Sequence, residues 1–231
     1  MKTKFKGILY YSKNIKDNDL YVKILSSNDE VNSGIVYGGN SSKKRSIYQN
    51  GYFIECTMSK KNQNSPPVFS GEITEPFLIN IFNDKYKMHA LLSITSLINL
   101  SIVEGQHVKG IFEDIENIIY TIITQNHWIK SYCEWLFNLL QKIGYQIDYK
   151  KNKNKKYFDI SKKEFYYEYS DRSIVFPHFF FTKLEDVSYK NLNIIFEIFE
   201  SIFLKNHLDN INYKMPINFL NFKKIILKQL K

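Results

Sequence analysis

Cysteine is scarce in this chain of 231 residues, and its scarcity excludes two kinds of structure. The only two cysteines, Cys56 and Cys133, stand far apart in the sequence. A framework of several disulfides and a four-cysteine zinc site are both excluded by number. The composition therefore fits a protein of the reducing cytoplasm.

Long apolar runs and catalytic motifs are missing as well. No hydrophobic stretch approaches the ~18 residues of a membrane span, and the charged N-terminus lacks the apolar segment of a secretory signal. The five histidines show no metal-ligand spacing, and no HExxH, GxSxG or glycine-rich phosphate loop occurs. We therefore expect no membrane association, metal, cofactor or small-molecule substrate, and no enzymatic activity.

Arginine is nearly absent, yet the formal net charge is +9. Lysine supplies the positive charge, which is concentrated in three segments: residues 1–75 carry a net +4, residues 150–156 a net +5 and residues 211–231 a net +5. Such clustering is typical of polyanion binding. A genome poor in G and C would also enrich lysine and asparagine, although codon usage explains the clustering less well than the total.

The first 76 residues have the pattern of a small β-barrel. Five β-prone runs are separated by turn residues, and they occupy residues 7–11, 20–25, 31–37, 52–58 and 68–73. This strand number and spacing suit an OB-fold, a five-stranded Greek-key barrel that often binds nucleic acid. An SH3-like barrel fits the pattern too.

From residue 77 onward, apolar residues recur at helical spacing. The stripes predict helices over residues 84–100, 111–123, 128–143, 192–203 and 219–230. Gly144 suits a C-terminal cap. Residues 150–165 have a loop-like composition, and the lysine run 150–156 is expected to be disordered and solvated.

The predicted fold class is therefore α+β, with an N-terminal five-stranded OB-fold barrel followed by an α-helical domain. We assign residues 1–76 to an OB-fold nucleic-acid-binding domain. Residues 77–231 form the helical domain, with a basic loop at 150–156.

Several segments, taken in order, resemble the RecO family of recombination mediators. The segments that carry the likeness are 7–20, 34–44 (GIVYGGNSSKK), 49–52, 67–72, 90–107, 135–145 (WLFNLLQKIGY), 158–161 and 171–177. Residues 139–145 match the family's most recognisable helical ending, Leu-Leu-x-x-x-Gly-Tyr. Family members with a zinc module carry cysteines just after this ending, whereas this chain has KKNKNKK at 150–156, so it resembles the zinc-lacking type.

The resemblance implies a non-enzymatic protein of DNA repair and homologous recombination. Such proteins bind single- and double-stranded DNA and anneal complementary strands. They act in the cytoplasm at the bacterial nucleoid, where they help to load the recombinase RecA together with RecR and the single-strand-binding protein. No catalytic residues are implied.

Annealing requires a surface that screens the repulsion between two phosphate backbones while the bases remain free to pair. The candidate nucleic-acid-binding residues are the basic side chains of the predicted barrel and its loops: Lys2, Lys4, Lys6, Lys13, Lys43, Lys44, Arg45, Lys60 and Lys61. We expect them to lie together along one face. The candidate stacking residues are Tyr37, Tyr48, Tyr52 and Phe53, at least two of which suit the barrel core equally.

The last predicted helix is basic and has one apolar face. Its lysines are candidates for binding the acidic, Phe-terminated C-terminal tail of a single-strand-binding protein: Lys223, Lys224, Lys228 and Lys231. A solvated face explains them equally well. Two other functional classes stay open, namely a protein-interaction adaptor and an OB-fold RNA-binding protein of translation.

Overall fold

A computed structural model describes residues 2–62, 64–182, 187–208 and 213–231 of the chain. The fold divides into two compact units, Met1–Ile123 and Thr124–Lys231, called here the N-terminal and C-terminal units. The first contains the barrel and the helices that follow it directly. The domain boundary at residues 76–77 stays a prediction, and it falls just after the last barrel strand.

The N-terminal unit is built on a closed five-stranded barrel with the strand order β1-β2-β3-β5-β4. Its strands are β1 (Lys2–Lys16), β2 (Asp19–Ser26), β3 (Val31–Val36), β4 (Phe53–Ser59) and β5 (Val68–Ile73). All pairs are antiparallel except β3 with β5, which run parallel and close the barrel at Ile35 and Val68. The predicted fold class, an OB-fold barrel followed by helices, is confirmed.

The barrel interior is filled by alternate residues of the strands, because successive side chains of a strand point to opposite sides. The buried cluster comprises Leu9, Leu20, Val22, Ile24, Val36, Tyr48, Ile54, Cys56 and Phe69. Tyr48 enters from the loop at 37–52, and its hydroxyl accepts a hydrogen bond of 3.0 Å from the Gly71 amide. Burial raises the pKa of Tyr48, so the hydroxyl stays protonated.

Strand β1 is long enough to pair with a different neighbouring strand along each of its halves. Its first half pairs with β4, from Lys2 opposite Ser59 to Ile8 opposite Phe53, and its second half pairs with β2. The register shifts between Leu9 and Tyr11, which is the signature of a β-bulge. The two halves of this strand therefore face different surroundings.

Three helices complete the N-terminal unit: α1 (Ile79–Phe82), α2 (Lys85–Ser101) and α3 (Ile111–Thr124). The Asp84 side chain accepts hydrogen bonds from the Tyr86 and Lys87 amides, so it caps α2 at its predicted start. Asp29, in the β2–β3 turn, caps α3 from the barrel. Its carboxylate oxygens accept from the Gly110 amide at 2.6 Å and from the Phe112 amide at 2.9 Å.

We expect Asp29→Ala to lower the free energy of unfolding of the N-terminal unit by about 1–2 kcal/mol, the usual cost of losing a helix cap. Asp29 also has a positive φ of 63°, which aspartate and asparagine tolerate better than alanine. Asp29→Asn keeps this backbone preference but only one of the two acceptor oxygens, because its amide nitrogen is a donor, so it should retain part of the stability. Urea denaturation of both variants tests this, and equal loss in both would exclude the cap as the cause.

The C-terminal unit is held by an aromatic helical core. Its helices are α4 (Trp128–Lys142), α5 (Tyr189–Ile202), which continues as a π-helical turn Phe203–Leu208, and α6 (Ile217–Gln229). Tyr132 packs edge-on against Phe222 at a centroid distance of 4.7 Å, and Phe199 packs against Phe219 at 5.3 Å. Gly144 follows α4 with a φ of 95°, as predicted for its C-terminal cap.

Residues 150–165 were predicted to be a loop, and this is wrong for part of the segment. Strands β6 (Tyr157–Asp159), β7 (Glu164–Tyr166) and β8 (Ser173–Val175) form an antiparallel sheet in the order β7-β6-β8. Strands of three residues are too short to display an alternating pattern. The lysine run 150–156 is also not disordered: it forms turns in which the Lys155 amide donates to the Asn152 carbonyl at 3.0 Å.

Within the described ranges, none of the helices has the length and apolar character needed to cross a membrane.

Candidate nucleic-acid interface

The outward surface of β1, β2 and β3 combines aromatic and basic side chains. It is called here the barrel face, and its residues are Tyr11, Lys13, Tyr21, Lys23 and Ile35. Tyr11 and Tyr21 meet edge to face, with ring centroids 6.4 Å apart. The Lys23 Nζ lies 5.4 Å from the Tyr11 centroid and donates a hydrogen bond of 3.2 Å to Asn99 of α2. A base that stacks here would meet ammonium groups beside it.

Two loops border the barrel face. The β1–β2 turn at residues 17–18 follows Lys13, and the β4–β5 loop reaches β3, where the Ile35 amide donates to the Pro67 carbonyl at 2.9 Å. Lys60 and Lys61 are exposed in that second loop. In OB-folds, the face of strands 2 and 3 and these two loops bind oligonucleotides. The arrangement therefore has the chemistry and the topology of a single-strand groove.

Lys2, Lys4 and Lys6 lie on the other half of β1, beside β4 rather than β2. Lys4 is opposite Thr57, and Lys6 is opposite Glu55. The Lys6 Nζ also forms a 2.6 Å salt bridge with Glu116 of α3. Lys6 thus holds a helix on the barrel, and its charge is already balanced.

The loop at 37–52 places its three basic residues near the β1–β2 turn. The Asn40 amide donates to the Asn18 carbonyl at 2.8 Å, which ties the start of the loop to that turn. Lys43, Lys44 and Arg45 are exposed, and the Lys44 Nζ donates to the Tyr37 carbonyl at 3.1 Å. This basic loop therefore adjoins the end of the barrel face.

The candidate lysines do not share one face, and the expectation that they do is wrong. Strand pairing places Lys13 beside β2 and Lys2, Lys4 and Lys6 beside β4. Between Lys2 and Lys13 the strand path is about 36 Å, at about 3.3 Å per residue. The cause is the closure of the barrel, which wraps the two halves of one long strand around different sides.

The four predicted stacking residues differ in their exposure to solvent. Tyr48 and Phe53 are buried, as expected for at least two of the set, and Tyr52 is half-buried against Phe82 at a centroid distance of 5.8 Å. Tyr37 is 55% exposed. Tyr11 and Tyr21 were not predicted as stacking residues from the sequence. The bulge after Leu9 reverses the alternation, so Tyr11 points outward where an unbroken strand would turn it inward.

Comparison with known proteins identifies several relatives that carry the same name, DNA repair protein RecO. The chain is 24% identical to the protein of Rickettsia akari over 148 residues, which is 64% of this chain and 62% of the relative. It is 25% identical to that of Orientia tsutsugamushi (strain Boryong) over 147 residues, 64% of this chain and 61% of the relative. It is 24% identical to that of Hyphomonas neptunium over 144 residues, 62% of this chain and 59% of the relative.

The chain is a distant relative of the RecO proteins. The matched stretch spans about three fifths of the length of these curated RecO relatives. No protein-family model matches the chain. The resemblance to RecO proteins that was predicted from the sequence is confirmed as a distant similarity.

The segment of RecO-like residues 90–107 has a structural role in the N-terminal unit. Glu104 Oε2 accepts a hydrogen bond of 2.5 Å from the Ser33 hydroxyl of β3, and His107 forms an isolated β-bridge with Glu30. The acidic residue and the histidine of this motif thus attach the α2–α3 connection to the barrel. These contacts explain the two residues of the motif by a structural role, without any contact to a ligand.

The thiols of this RecO relative are buried. Burial raises the pKa of the Cys56 thiol to about 12, and it raises that of Cys133 as well. Both side chains are therefore protonated near neutral pH and behave as core residues. Among the residues that the structure describes, no three His, Cys, Asp or Glu side chains group as a metal site would require.

The lysines of α6 and of the residues that follow it, predicted to be candidates for a partner site, are not equivalent. The Lys223 Nζ forms a largely buried 2.7 Å salt bridge with Glu200 of α5. Lys224 and Lys228 are exposed, and the Lys231 Nζ lies 5.1 Å from the Tyr189 ring centroid. Lys223 therefore stabilises the helix pair, whereas Lys224, Lys228 and Lys231 stay candidates for a partner.

We expect Lys223→Ala to lower the free energy of unfolding of the C-terminal unit by about 2–3 kcal/mol, because it leaves the Glu200 carboxylate without its cation in a poorly solvated position. Lys224→Ala, one residue along the same helix, removes the same charge and is the matched control. Fluorescence of Trp128 and Trp135, both in this unit, follows its unfolding. Equal stability of the two variants would contradict the assignment.

Proposed function

We propose that this chain binds single- and double-stranded DNA and anneals complementary strands in DNA repair and homologous recombination. In this role it helps to load the recombinase, together with RecR and the single-strand-binding protein, at the bacterial nucleoid. The observation that carries the proposal is the barrel face, an aromatic and basic surface on an OB-type barrel in a chain similar to RecO proteins. The role requires no bond chemistry and no catalytic residue.

The physical basis is charge neutralisation combined with stacking. Lys13, Lys60 and Lys61 supply cations at the barrel face and its loop, and Lys43, Lys44 and Arg45 extend them past the β1–β2 turn. Each neutralised phosphate releases counterions, so the affinity for DNA falls as salt rises. Stacking on Tyr11 and Tyr21 holds unpaired bases without selecting their sequence. A strand bound in this way keeps its hydrogen-bonding edges free for a complement.

We expect the triple variant Lys43→Ala/Lys44→Ala/Arg45→Ala to bind duplex DNA more weakly and with a flatter salt dependence. If all three residues contact phosphates, the slope of log K against log salt falls in magnitude by about 2.7. Fluorescence anisotropy with a labelled duplex at several salt concentrations measures this slope. The matched control is Lys224→Ala/Lys228→Ala/Lys231→Ala, which removes the same charge from α6 and the residue at the end of the chain. An unchanged slope in the loop variant would exclude this loop as a contact.

Annealing itself is tested with two complementary oligonucleotides, with and without the cognate single-strand-binding protein. The proposal predicts faster duplex formation in both cases. Absence of DNA binding at low salt would favour the protein-interaction adaptor. A preference for structured RNA over DNA of the same sequence would favour the RNA-binding protein.

A further inference from the structure

The three-stranded sheet of the C-terminal unit has one buried side and one side turned outward. Phe158 and Phe165 are paired across β6 and β7, and both are buried against Phe176. The neighbouring positions point the opposite way, because strand side chains alternate. There Tyr157 of β6 lies between Tyr166 of β7 and Val175 of β8. The outward side thus presents two tyrosines in a row.

Lysines stand over these tyrosines and over those of the segment that follows. The Lys156 Nζ lies 5.6 Å from the Tyr157 centroid, and the Lys162 Nζ lies 5.8 Å from the Tyr166 centroid. The surface, called here the Lys/Tyr face, consists of Tyr157, Tyr166, Tyr167, Tyr169, Lys155, Lys156 and Lys162. Its tyrosines and cations are interleaved, as in surfaces that bind single strands.

Two tyrosines of the Lys/Tyr face are unusually exposed. Tyr167 is 67% exposed and Tyr169 is 64% exposed, although a large aromatic surface in water is unfavourable. Tyr169 meets Tyr157 edge to face at 5.7 Å, and the Lys155 Nζ lies 5.8 Å from the Tyr167 centroid. The two rings therefore have contacts that orient them, while most of their surface stays exposed.

The charge of this region favours a polyanion. Residues 150–169 contain seven lysines and three acidic residues. Two of these acids are engaged locally: Glu164 accepts a 2.5 Å hydrogen bond from the Tyr166 hydroxyl, and Asp159 accepts from the Ser161 hydroxyl and amide. The hydrogen bonds to Asp159 lower its pKa, so this carboxylate remains a satisfied acceptor within its own turn.

We propose that the Lys/Tyr face is a second nucleic-acid site, which binds an unpaired strand by stacking its bases on the tyrosines and by placing its phosphates against the lysines. The inference rests on the proposed function and adds a site in the C-terminal unit to the one on the barrel. An unpaired strand is the occupant because stacked bases of a duplex do not offer their faces to a tyrosine. An annealing protein gains from two such sites, since it must hold two strands.

Photo-cross-linking of the full chain locates the strand directly. A single-stranded oligonucleotide that contains 5-iododeoxyuridine is bound, irradiated and digested, and the cross-linked peptides are identified by mass spectrometry. The inference predicts cross-links to Tyr157, Tyr166, Tyr167 or Tyr169. Cross-links confined to the N-terminal unit would overturn the inference and leave the proposed function standing. Absence of any DNA binding would remove both.

Substitution gives an independent measure. We expect Tyr167→Ala/Tyr169→Ala to weaken binding of single-stranded DNA about fivefold or more, the low end for the loss of a stacked base. Tyr167→Phe/Tyr169→Phe keeps the ring faces and is expected to bind normally. Equal affinity of the alanine variant and the unaltered chain would overturn the inference. A peptide rich in glutamate and phenylalanine is a second probe. If this peptide binds the chain and abolishes the DNA cross-links, the Lys/Tyr face is a peptide site and the inference is overturned.

Discussion

Gly34→Ala is expected to lower the free energy of unfolding of the N-terminal unit by about 2–3 kcal/mol, the upper part of the range for overpacking. A methyl group at Gly34 would lie 2.3 Å from the Pro67 carbonyl oxygen and 2.7 Å from the Phe69 ring. The backbone oxygen cannot move away, because the neighbouring Ile35 amide is bonded to it. The barrel is closed at this contact, where β3 meets β5 at one paired position.

Hydrogen exchange followed by mass spectrometry distinguishes local opening from global unfolding in this variant. We expect faster exchange in peptides from β3 and β5, while peptides from α4 and α5 in the C-terminal unit exchange as before. Ser70→Ala alters an exposed residue of β5 and is the control. If β3 and β5 exchange at the same rate in Gly34→Ala as in the unaltered chain, the closure does not depend on this close approach.

Tyr21→Ala/Lys13→Ala is expected to weaken the binding of single-stranded DNA by about tenfold to a hundredfold, because a stacked base contributes about 1–3 kcal/mol. The loss of Lys13 should also lower the salt slope by about 0.7, the value for one phosphate of a single strand. Both side chains point outward from adjacent strands, where Lys13 is paired with Tyr21. The variant thus removes the centre of the barrel face without touching the barrel core.

Lys6→Ala is the matched control for this experiment, because Lys6 and Lys13 belong to the same strand. Its cation is bound to Glu116 on the side of the barrel that faces α3. We expect Lys6→Ala to leave DNA affinity unchanged and to cost at most about 1 kcal/mol of stability, as for a partly exposed salt bridge. Anisotropy titrations with an oligothymidylate compare the variants. Equal weakening by both would mean that the barrel face is not the contact surface.

The positions of the long elements were predictable because their signals are local. The apolar stripes predicted five helices, and α2, α3 and α4 begin within one residue of the predicted starts. The run at 68–73 coincides with β5, and Gly144 caps α4 as predicted. Each of these signals depends on residues a few positions apart, which interact within one turn or one strand.

The short sheet of the C-terminal unit escaped prediction because its stability comes from distant partners. Strands of three residues have no periodicity of their own, and the lysine run before them suggested a solvated loop. Phe158 and Phe165 are fixed by packing on Phe176, which follows β8. A pairing between segments that are separated by turns leaves no regular signal in the sequence.

By itself the sequence determined the fold class, the order of the barrel strands and long helices along the chain, the likeness to RecO proteins and the number of lysines. Only the tertiary structure decided which of those lysines lie on the same side of the barrel. Barrel closure turns Lys6 towards a helix and Lys13 towards the barrel face, and a bulge brings Tyr11 outward. The side on which a residue lies depends on pairing across the barrel, and the spacing along one strand does not contain that information.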